Sequence, residues 1–179
     1  MDALTDGAGR FDRLVAGGSA TEEVFAALTR RNLDAAYRLA WAILGNDAEA
    51  DDATQDAFAL AWRKRSSLRE PDRFEAWFGR ILVNVCRDRL RRSDGRVRAL
   101  EEAPEPIVGD STASVSSRDA IGRVLARLDA DHRVVVVLRY WADLPIDEIG
   151  VRLGIPSGTV KSRLHSALRS IRPRLEDPR

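Results

Sequence analysis

At 179 residues the chain has room for one domain or two small ones. Its residues are 44% hydrophobic but only 6% aromatic, which suits helical cores and is lean for a large sheet core. The 29 basic and 28 acidic side chains leave a net charge of +1, so only the distribution of charge along the chain can point to partners. Cys86 is the one cysteine, and His132 and His165 are the two histidines. That excludes an internal disulfide and a Cys-based metal cage, and it argues against a His-rich metal site, so no cofactor is expected. The first residues lack a cationic start with a long apolar run, and no stretch approaches the ~18 apolar residues of a membrane span. A cytoplasmic protein without membrane insertion is expected.

In chain order, residues 1–20 read as a flexible tail. From Thr21 to Arg92 apolar residues recur at helical spacing. Thr21-Glu22-Glu23 resembles a helix start with acids in its first turn. Leu33, Tyr37, Ala40 and Trp41 continue one face, extended by Ile43 and Leu44. Gly45-Asn46-Asp47 is a stop followed by a new cap. A second helix is expected over 47–64, with Ala53, Ala57, Leu60 and Ala61 on one side and Phe58 and Trp62 as an i,i+4 aromatic pair. Ser66 to Asp72 is a loop punctuated by Pro71. A third helix is expected over 74–92, with Trp77, Ile81, Leu82, Val85 and Leu90 at its apolar positions and Cys86 as a small buried hydrophobe.

Residues 93–117 are rich in Ser, Pro, Asp, Glu and Gly without periodicity, which is linker composition. Residues 118–179 return to helical spacing. The run Val134 to Leu138 is β-branched and would suit a strand. It is read as helix because both flanks are helical and no strand partner exists. The expected fold class is all-α: two small helical domains joined by a flexible linker, the C-terminal one a helix-turn-helix.

That motif lies in LPIDEIGVRLGIPSGTVKSRLH, residues 144–165. Pro145 suits a first helical position, Ile146, Ile149 and Leu153 make a short apolar face, and Gly154 can end the helix with positive φ. Ile155-Pro156 prevents continuation, and Ser157 or its neighbour can cap the next helix. In that helix Val160, Leu164, Leu168 and Ile171 are expected to face inward, and Lys161, Ser162, His165, Arg169 and Arg172 lie largely elsewhere. The small residues Ser157, Gly158 and Thr159 permit close approach to DNA, and Lys161 and Arg163 can reach bases or phosphates. The spacing also fits a helical hairpin with a solvated basic face.

The N-terminal part splits by charge. Asp47, Glu49, Asp51, Asp52 and Asp56 form an acidic stretch, fit for a basic protein surface or for a solvated helix N-terminus. Arg63, Lys64, Arg65, Arg69, Arg73, Arg80, Arg87, Arg89, Arg91 and Arg92 are interleaved with Trp62, Phe74, Trp77 and Phe78. Such a stretch fits a nucleic-acid strand by phosphate attraction and base stacking, while the same aromatics also fit a core.

The string LPIDEIGVRLGIPSGTVKSRLHSALRSIR resembles region 4 of sigma factors of the extracytoplasmic-function group, and AEADDATQDAFALAWRKRSSLREPDRFEAWFGRILVNVCRDRLRR resembles their region 2. The resemblance covers about residues 33–92 and 118–172, both halves in the right order. It implies that residues 118–179 read the −35 element as duplex, with Lys161, Ser162 and His165 toward bases and Arg139 on phosphate. Ser166 stands where an Arg is common. It implies that residues 21–92 bind core RNA polymerase and the −10 element. The helix around Asp51, Asp52, Gln55 and Asp56 would dock on the β′ clamp. The stretch with Arg73, Trp77, Arg80, Asn84 and Arg87 would hold the melted strand, Asn84 near a flipped base. Ala53 and Thr54 stand where Leu-Val is commoner. Further implied partners are the β flap, promoter DNA and an anti-sigma factor. The linker, at most ~80–90 Å when extended, would thread the polymerase, its Glu101, Glu102, Glu105 and Asp110 mimicking nucleic acid. The chain itself would not be an enzyme. A free-standing helix-turn-helix regulator that binds duplex operator DNA is the alternative. No carboxylate cluster is placed with a basic DNA face, which argues against a nuclease.

Overall fold

The computed structural model describes residues 18–68, 70–101, 122 and 124–176, with side chains detailed over 22–68, 70–93, 122 and 124–172. Most of the expected tail and linker, including Glu102, Glu105 and Asp110, lies outside the described residues, as does Arg69. The helices are α1 (Gly18–Leu44), α2 (Asp47–Arg63), α3 (Phe74–Glu101), α4 (Ala130–Tyr140), α5 (Ile146–Leu153) and α6 (Ser157–Glu176). Two 3-10 turns, Arg65–Ser67 and Pro71–Arg73, occupy the loop before α3. No strand occurs among the described residues.

The α1–α2 corner forms as the turn chemistry predicts. Gly45 takes φ +70°, and Asn46 caps α2 by accepting a hydrogen bond from the Glu49 N–H at 2.9 Å. The stripe Ala50, Ala53, Ala57 and Ala61 is fully buried, and such small side chains let α2 lie close to its neighbours. Phe58 stacks on Phe78 at 4.3 Å between centroids, and Phe78 on Phe74 at 5.5 Å. Trp62 meets the edge of Phe25 on α1 at 5.1 Å. Phe58 and Trp62, expected as a pair, therefore each have a ring partner on another helix.

Two boundaries differ from expectation. α1 begins three residues before Thr21. α3 continues from Arg92 to Glu101, well into the segment read as linker. Gly95 alone costs about 1 kcal/mol in a helix. A long existing helix extends without a new nucleation cost, and no proline intervenes before Pro104.

In the C-terminal module, Val134 to Leu138 is helical and buried throughout, because α4 is surrounded. Asp129 caps α4, accepting from the Asp131 and His132 N–H groups at 3.1 and 3.0 Å. Val160, Leu164, Ala167 and Ile171 form the inward stripe of α6, while Leu168 is 38% exposed. At 3.6 residues per turn a stripe from Val160 returns to within ~20° at i+7 but sits ~80° away at i+8, so Ala167 faces in and Leu168 does not. Gly154 takes φ +67° and Ile155 N–H donates to the Gly150 carbonyl at 3.0 Å, closing the turn between α5 and α6. Pro145 stands one residue before α5, at its cap.

The two modules are docked. α4 and α5 pack on α3, and α4 also meets α1. The buried Arg133 of α4 reaches the corner at Gly45, where an added Cβ would lie 2.7 Å from its Nη2. A cation there is favoured by the C-terminal end of the α1 dipole.

Two outcomes test this account. A Cβ on Gly150 would lie 2.8 Å from the Ile155 carbonyl oxygen, which is backbone and cannot rotate away. Gly150→Ala should therefore lower stability by about 1–3 kcal/mol, read as a fall in Tm by circular dichroism. The second concerns Asp129. Partial burial pushes its pKa up, but hydrogen bonds from the His132 backbone and ring and the Asp131 N–H outweigh it, and the net shift is downward. A carboxyl depressed in the folded state contributes stability that is present above its unfolded pKa and lost as pH falls through the folded value. Asp129→Ala should cost about 1 kcal/mol at neutral pH. The difference from the parent should shrink in acid, as measured by urea unfolding across pH.

Candidate nucleic-acid interface

The exposed side of α6 carries Gly158, Lys161, Ser162, His165, Arg169 and Arg172, opposite its buried stripe. A convex helix face with small residues at its start and cations beyond has the shape and charge to lie in a major groove. Ser157 and Thr159 are half-buried. The Ser157 hydroxyl donates to Asp147 Oδ1 at 2.5 Å, and the Thr159 carbonyl accepts from Ser162 Oγ at 3.0 Å. Arg163 lies off this face and pairs with Asp131 of α4 at 2.9 Å. Arg139 sits at the α4–α5 corner, donating to the Leu144 carbonyl at 3.2 Å and lying 3.5 Å from Asp143. The structure thus gathers Gly158, Lys161, Ser162 and His165 on one face and turns Arg163 elsewhere.

On the N-terminal module Arg73, Trp77, Arg80, Asn84 and Arg87 follow each other at i, i+4, i+7, i+11 and i+14, a single stripe along α3 and its leading turn. Arg73 and Arg80 are exposed, and Trp77, Asn84 and Arg87 are half-buried. Arg73 pairs with Glu70 at 2.6 Å, and the Trp77 indole N–H donates to Ser67 Oγ at 3.2 Å, which ties the loop to the helix. The opposite side of α3 holds Phe74, Phe78, Leu82 and Cys86 in the core. A half-buried aromatic with cations at regular intervals can stack a base and track a phosphate backbone.

Asp51, Asp52, Gln55 and Asp56 are exposed together on α2. Gln55 Nε2 donates to Asp51 Oδ2 at 2.9 Å. Arg89 reaches across from α3, its side chain only 19% exposed, to Glu49 Oε2 at 2.8 Å and Asp56 Oδ2 at 2.6 Å, with Asp52 at 3.9 Å. Burial pulls its pKa down, and the Asp56 and Glu49 carboxylates more than reverse that, so the guanidinium is held charged. Sequence reasoning counted Arg89 with the nucleic-acid stretch. Its partners lie 33 and 40 residues away, and no local pattern signals them. Arg65 likewise turns inward, its guanidinium 4.1 Å from the Trp62 ring.

A family model described as Sigma-70 region 2 matches residues 28–96, and one described as Sigma-70, region 4 matches residues 124–173. The ECF RNA polymerase sigma factor SigW of Bacillus subtilis (strain 168) is 31% identical over 170 residues, covering 87% of this chain and 91% of that one. The chain belongs to the extracytoplasmic-function sigma factors. SigM of Mycobacterium tuberculosis, named as an ECF RNA polymerase sigma factor, is 39% identical over 139 residues, covering 78% of this chain and 70% of that one. Among solved structures, the sigma factor RpoE in complex with the anti-sigma factor NepR from Bartonella quintana shares the fold. Its TM-score is 0.64 at 23% identity, over 87% of this chain and 98% of that one. CnrH, in complex with the cytosolic domain of CnrY, matches with a TM-score of 0.63 at 25% identity, over 92% and 94%. In this sigma factor the two matched regions hold the three surfaces described above. No helix among the described residues is long and apolar enough to cross a membrane.

Cys86 is fully buried beside these surfaces. Burial pushes its thiol up to about 12, against a smaller opposing pull from Arg89. At neutral pH its thiolate population should be on the order of a thousandfold below that of a free cysteine. Native protein should resist a maleimide that labels the urea-unfolded chain at once, followed by mass spectrometry.

Proposed function

We propose that this sigma factor directs core RNA polymerase to its promoters by reading the −35 element as duplex and the −10 element as melted strand. The synthesis of RNA is the work of the polymerase. The single observation that carries the reading is the outward face of α6. Gly158, Lys161, Ser162 and His165 are exposed together while Val160, Leu164, Ala167 and Ile171 anchor the helix from behind. In this reading Lys161, Ser162 and His165 meet base edges. Ser157, Gly158 and Thr159 let the helix start approach the backbone, where its amides favour phosphate. Arg139 and Arg163 supply further cations.

The stripe Arg73, Trp77, Arg80, Asn84 and Arg87 would hold the −10 strand, with Asn84 toward an extruded base. Extrusion costs a few kcal/mol, which a fitted pocket and backbone contacts offset. Asp51, Asp52, Gln55 and Asp56 would dock on the β′ clamp, and the C-terminal module on the β flap. An anti-sigma factor fits as a regulator, since the sigma factor RpoE, which shares this fold, is known in complex with the anti-sigma factor NepR. Residues 21–92 and 118–179 would act as separate binding units joined by the intervening segment.

The test is run-off transcription with core polymerase on a genomic promoter library. Discrete start sites should depend on the protein. Asn84→Ala and Lys161→Ala should each weaken them by about 1–3 kcal/mol of lost contact, roughly 5- to 150-fold. Absence of transcription and of core binding, together with tight duplex binding by the protein alone, would establish an operator-binding regulator instead.

A further inference from the structure

The loop between α2 and α3 contains a short chain of hydrogen bonds that ends on a member of the α3 stripe. α2 is capped at its C-terminal end by Lys64, where helix carbonyls run out of partners within the helix. Ser67, the last residue of the first 3-10 turn, supplies two donors there. Its backbone N–H and its hydroxyl both donate to the Lys64 carbonyl, at 2.9 and 2.7 Å. With its proton committed, the Ser67 oxygen is left as an acceptor, and the Trp77 indole N–H donates to it at 3.2 Å. The residues around Ser67 are themselves held. Arg65 donates to the Trp62 carbonyl at 2.9 Å with its guanidinium over the Trp62 ring, and Leu68 is buried in the core.

Trp77 is half-buried, and Phe74 meets its ring at 5.8 Å between centroids, tilted by 49°. The torsion that turns an aromatic ring about its stem is roughly two-fold, so an indole has two orientations related by a half-turn. They point the N–H in different directions. The bond to Ser67 selects one of them, and it uses inside the protein the single donor that the ring could offer a base. Arg73 and Arg80 are exposed four residues before and three residues after Trp77. Asn84 follows seven residues on, ~10 Å along the helix axis.

We propose that Ser67 is a positioning residue for the −10 strand, a role that rests on the −10 reading above. Acting through Trp77, it sets the pose of the ring on which a base stacks and keeps the indole N–H away from that base. A ring held in this way reads by its face alone, and its preference among bases is the modest one that stacking strength gives. Without Ser67 the ring can turn over and its N–H becomes a free donor. The preference at that one position then follows a hydrogen bond to the base edge instead.

The experiment uses holoenzyme assembled from core polymerase and the full chain. Run-off transcription is measured on a promoter recovered from the genomic library, with each −10 base permuted in turn. Core binding is followed in parallel by fluorescence anisotropy. Ser67→Ala should shift the relative transcription among the four bases by about two- to tenfold, the range of one neutral hydrogen bond. The shift should be confined to one or two neighbouring positions, distinct from those altered by Asn84→Ala. Trp77→Phe, which removes the N–H, should alter the same positions as Ser67→Ala. Adding Ser67→Ala to Trp77→Phe should change nothing further, since the two residues act as one unit. Ser67→Thr keeps the hydroxyl and should match the parent. A Ser67→Ala profile equal to that of a discriminating parent would overturn the inference alone. So would a full additional shift in the double variant, or a uniform loss at every position together with weakened core binding, which is a structural role only. A parent indifferent to every −10 base would remove the −10 reading and the role of Ser67 with it.

Discussion

Everything in this molecule depends on α3 serving two environments along its length. One side must bury Phe74, Phe78, Leu82 and Cys86 against α1 and α2, because that packing is what makes the N-terminal module stable. The other side must stay polar and cationic enough to hold Arg73, Trp77, Arg80, Asn84 and Arg87 in a single row. A helix satisfies both because its faces repeat every 3.6 residues, so two stripes can run side by side without competing for positions. The alanine stripe of α2 supports this by letting the helices approach closely, and the stacked rings of Phe58, Phe78 and Phe74 fill what the small residues leave.

The C-terminal module solves the same problem on a smaller scale. α6 anchors Val160, Leu164, Ala167 and Ile171 and exposes Gly158, Lys161, Ser162, His165, Arg169 and Arg172, and the turn before it sets the angle. Gly154 supplies the left-handed residue, and Gly150 supplies the space for the Ile155 carbonyl. α4 has no outer face to spare over Val134–Leu138, and that explains how a β-branched run is helical. Burial on all sides outweighs a modest local preference. The same α4 presents Asp131 and Arg133 to the other module, so the helix that completes one core also builds the junction.

Electrostatics divides the surfaces more finely than the sequence does. Arg89 belongs to the acidic side of α2, where it orders Glu49 and Asp56 and offsets part of the negative charge of that patch. Arg163 belongs to the junction with Asp131. Both are cations in segments rich in cations, and both are directed to carboxylates within the chain. The exposed pairs, such as Arg73 with Glu70, are individually weak and are easily exchanged for another anion, whereas Arg89 has most of its surface covered.

The sequence by itself determined the helices, the corner at Gly45-Asn46, the left-handed Gly154, the family through its motifs, and the stripe of Arg73 to Arg87. All of these follow from spacing and turn chemistry within a few residues, which is where helical periodicity and capping act. It misplaced the ends of α1 and α3 and the inward role of Leu168, because small errors of register and propagation are resolved by packing and cooperativity. Tertiary structure alone decided which arginine meets which carboxylate, which rings pair, and that the two modules are docked. The pairs of Arg89 with Glu49 and Asp56 and of Arg91 with Asp131 join groups 33 to 40 residues apart at 2.6–2.8 Å, and no periodicity in one dimension encodes such a meeting.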